Sequence, residues 1–253
     1  MPFAITIVPI MPLRAEPSHR SEMVSQALFG ECVETEPLTN EGWIKVRMQY
    51  DGYEGWVTAA HLETITLEEF NAPFTHIANQ WAARLSVNDQ PMYIPYGCML
   101  KLDNPVWGNV KVVPESGIEV YKQPRSPKTS WHTIAHSFLN TGYLWGGKSV
   151  FGIDCSGFTQ SVYKILGIPL LRDAYQQATQ GELVSLIQEA KGGDLAFFDN
   201  EAGKITHVGI MLNDQQIIHS SGKVRIDPID HQGIVNADTG LRTHNLRLIR
   251  RLF

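Results

Sequence analysis

The sequence predicts a multidomain chain, two small antiparallel β-barrels followed by an α+β domain. Three observations point there. The 253 residues exceed the ~100–150 of a typical single domain. From Phe3 to Val120 the pattern is short apolar runs broken by Gly, Pro and Asp-Gly, the texture of small barrels. Beyond a polar, Pro-containing stretch, helical spacing comes first and strands follow, which defines an α+β domain.

In the first barrel, strands are expected over Phe3–Ile10, Glu22–Leu28, Gly30–Thr35, Gly42–Met48 and Gly55–Val57, with Asp51-Gly52 as a hairpin turn. The second repeats the texture with Leu100–Leu102, Gly108–Val113 and Gly117–Tyr121. Trp43, Trp56, Trp81 and Trp107 are read as barrel core, because large aromatic rings contribute most of a small core's buried area. Lys122–Ser130 has two prolines and no periodicity, so it reads as a linker. Expected domains are therefore 1–65, 66–125 and 130–253. In the third, Ser130 is a candidate N-cap for a helix bearing Ile134 and Phe138, and Asn140-Thr-Gly142 ends it. A second helix fits Ser156–Leu166, with Phe158, Val162, Ile165 and Leu166 on one stripe and Gly167 as its stop. Strands are expected over Asp194–Phe198, Ile205–Leu212 and Gln216–Ser220.

Charge and cysteine usage narrow the function. Lys plus Arg is 21 and Asp plus Glu 26, a net charge of −5 without a basic cluster, which argues against a nucleic-acid partner. No run approaches the ~18 apolar residues of a membrane span. The apolar start, Met1–Met11, has two prolines and no basic flank, so it reads as a strand; the expected compartment is the cytoplasm, or the periplasm or exterior if a leader has been removed. Cys32, Cys98 and Cys155 are far apart and lack a C-x-x-C spacing, which argues against a disulfide framework or a cysteine zinc site. Cys32 and Cys98 sit among strand residues and read as small core hydrophobes.

Cys155 differs, because it opens the second predicted helix in Gly152-Ile-Asp-Cys-Ser-Gly157. First-turn amides and the positive end of a helix dipole favour a thiolate. A thiolate needs a base, and His207 lies on the apolar strand Ile205–Leu212 with His219 on the next. The two are equidistant from Asn213, so an antiparallel pair brings them opposite within about one position. One imidazole can then orient the other.

Tyr143-Leu-Trp145-Gly-Gly, Asp154-Cys155-Ser156-Gly157-Phe158, Gly193-Asp194-Leu195, His207-Val-Gly-Ile and Ile218-His219-Ser resemble the successive signatures of NlpC-type papain-like cysteine peptidases of bacterial cell-wall metabolism. Leu13-Arg-Ala-Glu-Pro17, Glu22–Glu31 and Tyr53-Glu-Gly-Trp56-Val resemble a bacterial SH3-type domain. The whole arrangement is similar to γ-D-glutamyl-L-diamino-acid endopeptidases with two SH3-like domains. The resemblance implies cleavage of murein stem peptides, L-Ala-γ-D-Glu-diamino acid, with a free N-terminal L-Ala, and no cofactor or metal. It implies Cys155 as nucleophile, His207 as general base and acid, and His219 as orienting group. Tyr143 lines the cleft and is a candidate second oxyanion donor beside the Cys155 backbone N–H; Trp145 walls the substrate side. Asp154 is the implied anchor of the L-Ala amine, Ser156 contacts the D-Glu carboxylate, and Glu22 and Tyr53 close the pocket around the amine, with Glu16 as rival to Glu22. Arg172-Asp173 matches the family too, although a structural ion pair behind the pocket is the favoured account of it. Ala174 stands where relatives are expected to carry Ser.

Other motifs fare worse. Gly142–Ser149 spells a phosphate loop, but a helix precedes it where a buried strand is required. Ser161-Val-Tyr-Lys164 lies inside a predicted helix without a K-T-G partner. His132 and His136 have metal-ligand spacing but no third ligand or adjacent Glu. The alternatives to a peptidase are an amidase or acyltransferase of the same fold, and a wall-peptide binding protein without catalysis.

Overall fold

The computed structural model describes residues 2–39, 41–121 and 127–253, the side chains of 127–129 excepted. The chain forms two compact units. One comprises Met1–Lys122 with Lys148–Val150, the other Gln123–Gly147 with Phe151–Phe253.

In the first unit, β1 (Phe3–Thr6), β2 (Ile10–Arg14), β3 (Met23–Leu28), β4 (Cys32–Thr35), β5 (Trp43–Met48), β6 (Glu54–Thr58) and β7 (Leu62–Ile65) make one sheet in the order β3-β2-β6-β5-β4-β1-β7. The apolar run expected as one strand, Phe3–Ile10, breaks between β1 and β2. There the Ile7 amide donates to the carbonyl of His61, and Pro9 has no amide to give a ladder. Asp51-Gly52 turns β5 into β6 as expected, with Gly52 at φ +70° and the Asp51 carboxylate accepting the Tyr53 amide at 3.0 Å.

Helix α1 (Leu67–Asn71) follows, closed at its start by a reciprocal Thr66/Glu69 capping box. Beyond it β8 (His76–Ala78), β9 (Ala82–Val87), β10 (Gln90–Pro95), β11 (Met99–Leu100), β12 (Val106–Trp107), β13 (Val110–Ser116) and β14 (Ile118–Val120) form two small sheets, β10-β9-β13-β12 and β11-β8-β14. The β9–β10 hairpin turns through Asn88-Asp89, both at positive φ, a turn that the sequence reading did not mark. One apolar cluster joins Ile5, Phe29, Cys32 and Ile65 to Leu85, Ile94, Cys98, Trp107 and Val112. A single core therefore crosses the 65/66 boundary, which suits modules too small to bury enough surface alone. Trp43 and Trp107 lie in the interior, whereas Trp56 is half-buried and Trp81 is exposed, so only two of the four tryptophans are core residues. The two-residue strand β15 (Lys148–Ser149) also belongs to this unit, where the Lys148 amide donates to the Gln26 side chain at 2.9 Å.

The second unit opens with α2 (Pro127–His136). Its start at Pro127 puts Ser130 inside the helix rather than at its N-cap; proline suits a first helical position because the amide it lacks has no acceptor there. Residues 122–126 of the expected linker lie outside the described residues. Then come β16 (Gly152–Ile153), α3 (Cys155–Ile165), α4 (Ala174–Gln177) and β17 (Glu182–Val184). After these, β18 (Leu195–Asp199), β19 (Ile205–Met211), β20 (Gln216–Ser221), β21 (Lys223–Asp230), β22 (Gly233–Val235) and β23 (Arg242–Arg251) run antiparallel in that order. Because β23 pairs with both β18 and β22, the six strands close into a barrel, with β17 added beside β23. Phe198, Met211, Ile217, Ile229, Ile234 and Ile249 share a core cluster within it.

Every residue of α3 is buried, so the stripe expected on one face is a helix enclosed on all sides. Its polar residues are accommodated by specific bonds: Thr159 donates to Gln177 Oε1 at 2.7 Å, and Gln160 Nε2 donates to the Leu170 carbonyl at 3.0 Å. Among the described residues no helix is long and apolar enough to cross a membrane.

Trp107 links the two halves of the first unit's core, packing on Phe29 at 5.4 Å between ring centroids and donating its indole N–H to the Lys101 carbonyl at 3.0 Å. Trp107→Ala is expected to destabilise that unit by ~3–5 kcal/mol, measured as an earlier urea transition of the first unit.

Candidate active site

The site is built at the start of α3. Asp154 is its N-cap, in extended conformation, and its carboxylate accepts the Gly157 amide at 2.6 Å. The same carboxylate accepts the Gly146 amide at 2.9 Å and takes both terminal nitrogens of Arg172, at 3.1 and 2.6 Å. Arg172 also donates to Ser156 Oγ at 2.8 Å. With side-chain exposures of 1% and 7%, this is a buried bidentate ion pair. The pair is thus made by Arg172 with Asp154, the residue named as an amine anchor. Gly157 has to be glycine, because a Cβ there would lie 2.2 Å from the Gly147 carbonyl oxygen.

Cys155 is the first residue of α3 and is buried. Its sulfur receives backbone N–H groups from Val208 and Ser156, so the residue immediately after His207 touches the thiol. Burial, and then the Asp154 charge, push the thiol up to about 12 against these donors and Arg172. The resting group is a thiol, contrary to the thiolate that the helix position suggested. Helix-end effects are worth ~0.3–2 kcal/mol, whereas desolvating an unpaired ion costs several.

His207 on β19 and His219 on β20 come together by a different register from the expected one. Gly209, not His207, pairs with His219, because the hairpin is centred at Asp214 rather than Asn213. The displacement is two residues, so the face is preserved and the rings meet diagonally. His207 Nε2 lies 2.8 Å from His219 Nδ1 with the ring planes at 83°. Gly209 makes the space, since a Cβ there would stand 2.7 Å from His219 Cβ. Burial, followed by the neighbouring His219 and His244, lowers the His207 imidazole well below its usual range and keeps it neutral.

Two residues escaped the sequence reading. Asp227 on β21 lies 2.9 Å from His219 Nε2. His244 on β23 stacks on His207, centroids 4.1 Å apart and planes at 27°. The signal for His244 was the alternation of His244, Leu246 and Leu248 with exposed Thr243, Asn245 and Arg247, in a segment too polar to read as barrel wall.

Tyr143 is held between strands: its amide donates to the Gly222 carbonyl, and the residue bridges to Ile153, two positions before Cys155. Burial first, and then the charges of Cys155 and Asp154, raise its phenol, so it remains an O–H donor close to the sulfur. Trp145 is 60% exposed, available as a wall. Ser156 is buried beneath Arg172. Asp173 caps α4 through a capping box with Gln176, and Ala174 opens that helix. Glu22, Glu16 and Tyr53 lie in the first unit, the two acids exposed and Tyr53 packed against the cluster of Met11, Leu13, Val46 and Val57.

The model of the NlpC/P60 family matches residues 140–243, and that of the bacterial dipeptidyl-peptidase Sh3 domain matches 13–62. The γ-D-glutamyl-L-lysine dipeptidyl-peptidase of Bacillus subtilis is 33% identical over 215 residues, which cover 78% of this chain and 71% of that protein. The chain belongs to the NlpC/P60 family. Among other relatives, dipeptidyl-peptidase 6 of Lysinibacillus sphaericus is 27% identical, over 90% of this chain and 92% of its own. The crystal structure of an NlpC/P60 family protein from Bacillus cereus shares the fold, with a TM-score of 0.80 at 22% identity over 98% of this chain and 99% of that one. The chain is accordingly a multidomain protein with a bacterial SH3 domain ahead of an NlpC/P60 domain.

A resting thiol has a measurable consequence in this NlpC/P60 domain. Alkylation of Cys155 by iodoacetamide without substrate is expected to keep accelerating beyond the ordinary thiol range of about pH 8.5. A rate that levels off below pH 7 would instead show a resting thiolate.

Proposed function

We propose that this NlpC/P60 protein is a cysteine peptidase that hydrolyses the γ-D-glutamyl to L-diamino-acid bond of murein peptides with a free N-terminal L-Ala. The observation that carries the chemistry is the contact of the Cys155 sulfur with the amide of Val208, the residue that follows His207 on β19, together with the bond between His207 and His219. The substrate is supported by the relatives called γ-D-glutamyl-L-lysine dipeptidyl-peptidases.

In this reading His207 removes the thiol proton as Cys155 attacks the carbonyl carbon, then delivers it to the leaving amine. Water hydrolyses the resulting acyl-enzyme by the same route in reverse. The Cys155 backbone N–H, without an intrahelical acceptor in the first turn, and the Tyr143 hydroxyl donate to the oxyanion. His219 orients His207. Ser156 contacts the D-Glu carboxylate, Asp173 supports the same subsite and Trp145 walls it. Asp154 anchors the L-Ala amine only in part, because its charge is already matched by Arg172. A buried ammonium needs a further carboxylate, and Glu22, with Tyr53, is assigned that task by the resemblance. The proposal includes two SH3-like barrels, β1–β7 and β8–β14, and a reaction on released wall peptides in the cytoplasm, or in the periplasm or exterior if a leader has been removed.

Mass spectrometry of products from L-Ala-γ-D-Glu-diamino-acid tripeptides tests this reading. Release of L-Ala-γ-D-Glu from the free peptide, none from its N-acetylated form, and none from Cys155→Ala or His207→Ala are expected. Release of ammonia or transfer to an added amine would indicate an amidase or acyltransferase, and no product from any form would indicate a binding protein. Because His207 is held neutral, kcat/KM is expected to keep its plateau below pH 6.5 and fall only in stronger acid; a fall centred at or above 6.5 would contradict that assignment.

A further inference from the structure

Asp227 is buried, with 2% of its side chain exposed, yet it is surrounded by donors. Its Oδ1 accepts Arg225 Nη2 at 2.8 Å and the Ala237 amide at 2.9 Å. Its Oδ2 lies 2.7 Å from Arg225 Nε and 2.9 Å from His219 Nε2. Guanidinium and amide nitrogens can only donate, so this carboxylate is ionised and acts solely as an acceptor. Burial alone would raise it, but the bonds from His219 and Arg225, then the Ala237 amide, hold it well below the usual carboxylate range. On its outer side Arg225 also pairs with Asp238 at 2.9 Å, and His244 stands 5.7 Å from the His219 ring.

The consequence runs along the chain of bonds. When His219 carries a single proton, an acceptor-only oxygen requires that proton on Nε2, since a lone pair there would face a carboxylate lone pair. Nδ1 of His219 is then an acceptor, and the 2.8 Å bond to His207 needs a proton on His207 Nε2. The nitrogen left with a lone pair is His207 Nδ1. We infer that Asp227 is a positioning residue that sets the tautomers of both histidines and so makes Nδ1 of His207 the basic nitrogen of the site. The inference rests on His207 being the general base. Arg225 offsets the Asp227 charge locally, which makes orientation rather than net field its main contribution.

Asp227→Asn is the informative change. Arg225 and the Ala237 amide together hold the Oδ1 position and would claim the amide oxygen. The new NH2 group must then face His219 Nε2 and force the proton to His219 Nδ1. His219 donates to His207 Nε2, and His207 carries its proton on Nδ1, the wrong nitrogen for a base.

Histidine 15N shifts of the full-length protein read this directly, beside steady-state kinetics on the tripeptide. Expected are Nε2–H tautomers for His207 and His219 in the wild type, Nδ1–H tautomers in Asp227→Asn, and kcat lower by ~10²–10⁴-fold with KM within a few-fold. An Nδ1–H tautomer of His219 in the wild type would overturn the inference. So would unchanged kcat in Asp227→Asn, or a loss of kcat with both tautomers retained. If that variant fails to fold, the wild-type tautomers decide alone. Full turnover by His207→Ala would instead overturn the assignment of the base and leave the tautomer measurement standing.

Discussion

The buried pair of Asp154 and Arg172 is the interaction on which the rest of the site depends. It fastens the first turn of α3 to the Gly146 loop and to the chain leading into α4, and through Arg172 it holds the Ser156 hydroxyl. Breaking such a pair from one side leaves an uncompensated charge in the interior, at ~3–5 kcal/mol. The helix start that presents Cys155 is therefore held by electrostatics that only a folded, water-excluding interior makes worthwhile. The same carboxylate bears on the chemistry, since its charge adds to burial in keeping the thiol protonated.

A neutral thiol beside a neutral imidazole is a consistent resting state for a site this deeply buried. Two separated charges would be expensive there, whereas in the proposed reaction a proton transferred as the sulfur attacks creates charge only at the donors assigned to the oxyanion. The stacked His244, lowered to about 4 by burial first and then by the nearby His219, stays uncharged against His207 and so adds no repulsion to the imidazolium that the proposed reaction would form there. The barrel contributes by bringing β19, β20, β21 and β23 to one place, and each of the four supplies one member of the His207, His219, Asp227 and His244 group.

Much of this was legible in the order of residues. Cys155 at a helix start, the two histidines on successive strands and the extents of α3, β18, β19 and β20 within a residue or two all follow from local patterns. The register of the histidine hairpin did not, because a turn centre misplaced by one residue moves the pairing by two; parity rescued the face. Trp81 read as core because aromatic content cannot show on which side of a strand a ring emerges, and it is exposed. The Lys223–Arg251 strands were missed because their outer faces are rich in charge, diluting the alternation that marks a wall.

The sequence by itself determined the residue types and their order: a cysteine at a helix start, two histidines twelve residues apart, and apolar runs of the right lengths. Those are local properties, set by helix capping and by side-chain period. Only the tertiary structure decided the state of the thiol and the partners of Asp154, His207 and His219. Each depends on exclusion of water and on groups far along the chain, Arg172, Asp227 and His244 among them. Burial and long-range pairing have no signature in a window of neighbouring residues, and they turned a cysteine that its helix position marked as a thiolate into a resting thiol.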